Sequence, residues 1–132
     1  MKKIKGYIFS RPFLDERAPQ HIQNIVIREF CKKEDLHYSL SAVEYAMIDS
    51  HKTLYQLISD LKKLDGIVAY SVFQLPVSDE ERNKILKKII LKKKFFYFAL
   101  EDLKLTNKQD LKKIENIWLI KKILPKCPKK VN

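Results

Sequence analysis

The sequence predicts a three-layer α/β fold around a mainly parallel sheet of four to five strands. Short apolar runs alternate with helical patterns along the chain, as strand–helix–strand units require. GIVAYSV (Gly66–Val72) is apolar almost without a break, the mark of a strand buried on both faces of a parallel sheet. Only two glycines and five prolines occur in 132 residues, and no linker or repeat interrupts the pattern. One domain over residues 1–124 is therefore expected, with 125–132 (PKCPKKVN) as a flexible tail.

Lys3–Phe9 reads as the first strand, a short β-branched and aromatic run ended by polar residues. Ser10–Ala18 is a loop, and Pro19 suits the first turn of a helix, where its missing N–H costs nothing. That helix runs to about Lys33, with Ile22, Ile25, Val26 and Phe30 expected to face the sheet. His37–Ser41 is a second strand and Ala42–Ser50 a loop. Lys52–Leu64 carries Leu54, Leu57, Ile58, Leu61 and Leu64 at helical spacing, and Asp65-Gly66 ends it.

After the strand Gly66–Val72 and a loop at Phe73–Val77, Ser78 and Glu81 form a capping box. The third helix follows, burying Ile85, Leu86 and Ile89. Phe95–Leu100 is a fourth strand and Leu103–Leu105 a short edge strand. Thr106 or Asn107 caps a last helix with Leu111, Ile114, Ile117 and Trp118, stopped by Pro125. Right-handed crossovers restrict the topology, and the flavodoxin-like order 2-1-3-4(-5) is the one expected.

Three of the four arginines, Arg11, Arg17 and Arg28, fall between Ser10 and Arg28, and every other basic residue is lysine. The planar guanidinium grips carboxylate or phosphate bidentately, so this cluster points to an anionic ligand. In the expected fold the carboxyl ends of the strands form a rim, where open α/β sheets bind ligands. That rim collects Ser10, Arg11, Arg17, Gln20, His21 and Asn24 from the first loop and helix start. Glu44 and Tyr45 join from the second strand's end, with Tyr70, Ser71, Gln74 and Glu101 from the third and fourth.

As catalytic candidates, His21 and Glu44 are acid–base groups, and Ser10 is a hydrogen-bond donor or nucleophile. Arg11, Arg17, Gln20, Asn24, Arg28, Tyr45, Tyr70, Ser71 and Glu101 are the binding candidates. Each has a plainer reading as well: Arg17 can pair with Asp15 or Glu16 on the surface, and Tyr45 and Tyr70 can simply pack.

A net charge of +11 could mark a nucleic-acid or membrane partner, but the lysines recur through nearly every helix rather than gathering on one. A specific nucleic-acid partner is therefore not expected. Cys31 and Cys127 have no metal-type spacing, and no metal or cofactor motif occurs. The first apolar run is too short for a signal peptide, and no transmembrane segment is visible, so a cytoplasmic protein is expected. The last helix is apolar nearly all round, which suggests a homo-oligomer.

GYIFSRPF, RAPQHIQNIVIREFC, LSAVEYAM, LDGIVAYSVFQLP and ENIWLI resemble the small family of sporadic carbohydrate cluster proteins over about Lys5 to Pro125. That resemblance implies a role in surface-polysaccharide biosynthesis, with an anionic sugar or sugar nucleotide either bound or bound and converted at the rim. It transfers no catalytic residues.

GYIFS and DGIVAYSVFQLP also resemble, more distantly, the first and third strands of the serine recombinase (resolvase) catalytic domain, with Ser10 at the nucleophile's place. The pattern departs from that family where Phe73-Gln74-Leu75-Pro76-Val77 replaces an Asp-Arg and a further arginine. The two alternatives to sugar binding are a scaffolding module and a degenerate, nucleic-acid-associated relative of resolvases.

Overall fold

The structure, a computed structural model, describes residues 2–13, 18–47 and 50–123. Arg17 and the expected tail at 125–132 lie outside the described residues. In chain order the elements are β1 (Lys2–Phe9), α1 (Gln20–Lys33), β2 (Leu36–Glu44), α2 (Lys52–Ser59), β3 (Gly66–Ala69), α3 (Asp79–Leu91), β4 (Phe95–Phe98), β5 (Leu103–Leu105) and α4 (Lys108–Ile123). Short 3-10 turns at Leu61–Lys63 and Val72–Gln74 flank β3.

The sheet order is β2-β1-β3-β4-β5, parallel throughout except that β5 runs antiparallel to β4. This is the expected order, with β1 inside the sheet. A right-handed crossover puts α1, which steps back to β2, on the opposite face from α2 and α3, which step forward. Phe30 of α1 meets Tyr97 on one side of β4. The other side of β4 buries Phe96 and Phe98 in the core shared with Ile85, Leu86, Ile89, Ile114 and Trp118.

Several boundaries move, each for a reason outside the local sequence. β2 extends through Ala42–Glu44, expected as loop, because β1 continues alongside it: Tyr7 pairs Ala42, Ile8 pairs Val43 and Phe9 pairs Glu44. β3 ends at Ala69 rather than Val72, since Ser71 caps the following 3-10 turn by accepting from Phe73 N–H. Of the expected capping box on α3 the Ser78 half is present, Ser78 Oγ accepting from Glu81 N–H, while the Glu81 carboxylate accepts from the Tyr55 hydroxyl instead. Of the two candidate caps of α4 it is Asn107 whose Oδ1 accepts from Asp110 N–H.

The inward face of α1 also differs. Ile22 and Ile25 are 39% and 46% exposed, while Gln23, Ile27, Phe30 and Cys31 are buried. The helix is rotated so that an amide, not an isoleucine, enters the protein at its first turn. Gln23 is buried there because the end of β1 needs its hydrogen bonds.

At Gly66 a Cβ would come within 2.4 Å of the Phe95 ring, which lies over this position from β4 and fills the space a side chain would take. On α4, Leu111, Ile114 and Trp118 face inward while Leu119, Ile120 and Ile123 are exposed. Among the described residues no helix is long and apolar enough to cross a membrane.

Candidate functional site

The pairing of Phe9 with Glu44 makes β1 and β2 leave the sheet together, which places Ser10 beside the main chain of the β2 end. Ser10 is exposed, and its Oγ donates to the Glu44 carbonyl at 2.9 Å. An open pocket of about 360 Å3 lies against it, lined by Phe9, Ser10, Arg11, Pro12, Ala18, Pro19 and Gln20. The pocket sits where α1 begins. Among the described residues no side chain caps that helix, and no acidic residue occupies its first turn. The first N–H groups of a helix have no partners within it and carry partial positive charge, so this end suits an anion.

Arg11 also lines the pocket, yet its guanidinium is engaged. Its Nη1 and Nη2 donate to the Tyr45 and Ser50 carbonyls at 2.7 and 2.9 Å, and the group stacks 4.1 Å over the Phe9 ring. The arginine therefore ties the β1 end to the segment leading into α2. Arg11→Lys keeps the charge but loses the fork. It should lower stability by about 1 kcal/mol, read as a fall in thermal midpoint; an unchanged midpoint would mean the carbonyl contacts contribute nothing.

Glu44, a candidate acid–base group, is 1% exposed. Its Oε1 accepts from the Tyr7 hydroxyl at 2.8 Å and Leu54 N–H at 3.2 Å. Its Oε2 accepts from Thr53 N–H at 3.0 Å, Tyr45 N–H at 3.1 Å and Ser50 Oγ at 3.3 Å. Burial alone would raise this carboxyl, but the Thr53, Leu54 and Tyr45 amides and the Tyr7 hydroxyl outweigh it and hold it below the ordinary range. The carboxylate thus caps the first turn of α2 from a distance in sequence. The hydrogen bonds engage both oxygens of the expected acid–base group with the fold itself. Tyr7 is pushed up by burial and by the Glu44 charge, so it stays a hydroxyl donor.

A second buried network holds the other side of the rim. Gln23 Nε2 donates to the Phe9 and Ala18 carbonyls at 2.9 and 2.8 Å, while its Oε1 accepts from Phe9 N–H at 2.9 Å and Gln74 Nε2 at 2.8 Å. Ser71 Oγ donates to Glu101 Oε2 at 2.6 Å, and Val72 N–H to Glu101 Oε1 at 2.8 Å. His51 Nε2 lies 3.1 Å from the Gln74 carbonyl. Among the described residues, no buried side-chain N or O atom lacks a hydrogen-bond partner. Ser71 and Glu101, expected to bind ligand, are thus bonded to each other and to the turn at the β3 end.

The remaining candidates are spread out. Gln20 and His21 are exposed at the start of α1, Gln20 lining the pocket. Asn24 accepts from the Tyr38 hydroxyl at 3.0 Å, which turns it toward β2. Arg28 is exposed two turns along α1. Tyr45 is exposed and contributes its carbonyl to Arg11. Tyr70 is buried, with its ring edge-on to Phe13 at 6.1 Å.

Sequence reasoning missed Gln23, Tyr7 and Ser50. A glutamine on the apolar side of a helix was the available signal for the first. It also passed over Arg82, which is 1% exposed, donates to Glu115 and the Pro76 carbonyl, and stacks 4.3 Å over Trp118.

Two solved structures share this architecture over nearly its whole length. The N-terminal catalytic domain of TP901-1 integrase matches with a TM-score of 0.65 at 14% identity, covering 95% of this chain and 98% of that one. A resolvase family site-specific recombinase from Streptococcus pneumoniae matches with a TM-score of 0.63 at 9% identity, covering 93% and 91%. The chain has the resolvase-like fold. At such identities the likeness speaks for the fold alone.

No family model and no curated protein matches the sequence, so the resemblance to carbohydrate cluster proteins, and the sugar ligand it implied, finds no support. The exclusion of a specific nucleic-acid partner is corrected: the structural neighbours are a recombinase and an integrase domain, which removes the ground for setting nucleic acid aside.

Proposed function

We propose that this chain is a nucleic-acid-associated domain that holds a backbone phosphate in the pocket between the β1 end and the α1 start, without exchanging strands itself. The observation that carries this reading is the juxtaposition of the exposed Ser10 hydroxyl, the N-terminus of α1, which no described side chain caps, and the 360 Å3 pocket between them. Its setting, a resolvase-like fold with a net charge of +11, supports a polyanionic partner. A cytoplasmic location accords with such a partner.

The same residues argue for binding over chemistry. Phosphoryl transfer to a serine needs cations around the transferring group and an acceptor for the hydroxyl proton. Ser10 instead directs its proton to the Glu44 carbonyl, and the Arg11 terminal nitrogens are committed to two other carbonyls. Gln74, where the resolvase resemblance would put a charged residue, is buried in the Gln23 network.

The test is fluorescence anisotropy with duplex and single-stranded oligonucleotides over a salt series, on wild type, Ser10→Asp and Gln20→Glu. Both variants place a carboxylate in the pocket and should weaken binding by about tenfold or more, beyond what one lost unit of net charge causes elsewhere on the surface. A surface control, Lys62→Gln, which likewise lowers the net charge by one unit, sets that baseline. Equal loss in all three would reduce the pocket to a bystander, and no binding at low salt would remove the reading. In parallel, incubation with supercoiled plasmid should give no covalent protein–DNA product; one formed through Ser10 would overturn the claim that strands are not exchanged.

A further inference from the structure

A second concavity lies away from the sheet rim. α3 and α4 pack against each other, with Arg82 of one bonded to Glu115 of the other at 2.8 Å. Toward the other end of the pair a groove of about 500 Å3 opens between them, lined by Lys87, Ile90, Leu91, Lys108, Leu111 and Lys112. Its apolar lining comes from Ile90, Leu91 and Leu111, and Leu91 is 81% exposed at its mouth. Three lysines frame it, and no carboxylate contributes to the lining. Asp110, the acidic residue in the first turn of α4, is turned back to accept from Thr106 N–H and Oγ1 at 3.0 Å each.

We propose that the α3–α4 groove docks an acidic amphipathic helix of a partner protein. Its apolar side chains would fill the space over Ile90, Leu91 and Leu111, and its carboxylates would face Lys87, Lys108 and Lys112. The chemistry excludes the alternatives in turn. A nucleic-acid phosphate gains nothing from an apolar floor. A bilayer is flat and leaves a concavity empty. A second copy of this chain would set lysine against lysine, on a molecule that already carries +11. An amphipathic helix has the required pair of faces, with apolar anchors at i, i+3, i+4 and i+7. The groove is separate from the Ser10 pocket, and its occupancy does not depend on phosphate binding there.

The probe is a fluorescent synthetic helix of about 18 residues, leucine on one face and glutamate elsewhere. Two controls accompany it: one with lysine for glutamate and one with serine for leucine. At physiological ionic strength only the acidic amphipathic peptide should bind. Leu91→Asp and Lys112→Glu should each weaken it by about tenfold or more, with thermal midpoints close to wild type because both side chains are exposed. Lys62→Glu should have no comparable effect.

Equal binding of the serine control would reduce the interaction to bulk charge and overturn the proposal. So would indifference to Leu91→Asp, or no binding of the acidic peptide. Anionic phospholipid vesicles or duplex DNA that bind in a Leu91-dependent way, with the peptide inert, would assign the groove elsewhere and overturn it as well.

Discussion

Glu44→Ala should lower the stability of the domain by about 3–5 kcal/mol, among the largest losses available to a single substitution here. The carboxylate accepts from Tyr7, Tyr45, Ser50, Thr53 and Leu54, joining β1, the β2 end and the first turn of α2. Alanine strands the buried Tyr7 hydroxyl and uncaps α2 at once. Glu44→Gln keeps the shape and some acceptors, so a smaller loss of about 1–3 kcal/mol is expected.

The two variants also differ from wild type in pH dependence. The folded carboxyl lies below its ordinary range, so in acid the unfolded chain takes up this proton before the folded one does. The stability contributed by Glu44 is then full above the unfolded value of about 4.3 and is lost as pH falls through the folded value. Urea unfolding across that range should show a steeper acid loss in wild type than in Glu44→Gln. Parallel curves, or a loss under about 1 kcal/mol for Glu44→Ala, would contradict the role assigned to this residue.

Gln23→Leu should cost about 3–4 kcal/mol although leucine is close to glutamine in volume and far more apolar. A transfer argument alone would call it stabilising. The hydrogen bonds decide otherwise. Leucine removes the partner of the Phe9 N–H, the Phe9 and Ala18 carbonyls and the Gln74 amide, in surroundings where Gln23 and Gln74 have no measurable exposure. Each unpaired buried group costs about 1–3 kcal/mol, and the sum outweighs the gain from a more apolar side chain. Because Phe9 and Ala18 also line the Ser10 pocket, amide exchange at Phe9 should quicken and oligonucleotide binding should weaken together. Stability unchanged within about 1 kcal/mol would show the network to be dispensable.

Much of the candidate site was visible in the sequence as a neighbourhood rather than as roles. Ser10, Arg11 and Gln20 do line one pocket at the α1 start. Glu44, Ser71 and Glu101 do stand at strand ends, yet each is drawn into capping a turn or helix. A carboxylate at a strand end looks the same in sequence whether it awaits substrate or holds a neighbouring helix. Only the partners distinguish the two, and those partners lie 9 to 37 residues away in the chain for Glu44 bonded to Thr53 and Tyr7.

By itself the sequence determined the alternation of strands and helices, the strand order and the cap at Ser78. These depend on period, turn chemistry and crossover handedness, all of which act over a few residues or follow from chirality. Only the tertiary structure decided that Gln23 rather than Ile22 or Ile25 turns inward, that β2 runs on to Glu44, and that Arg11 grips two carbonyls instead of standing free. The reason is that a buried polar group must find its partner wherever the fold brings one. That requirement can rotate a helix against its own apolar stripe and lengthen a strand past its local pattern.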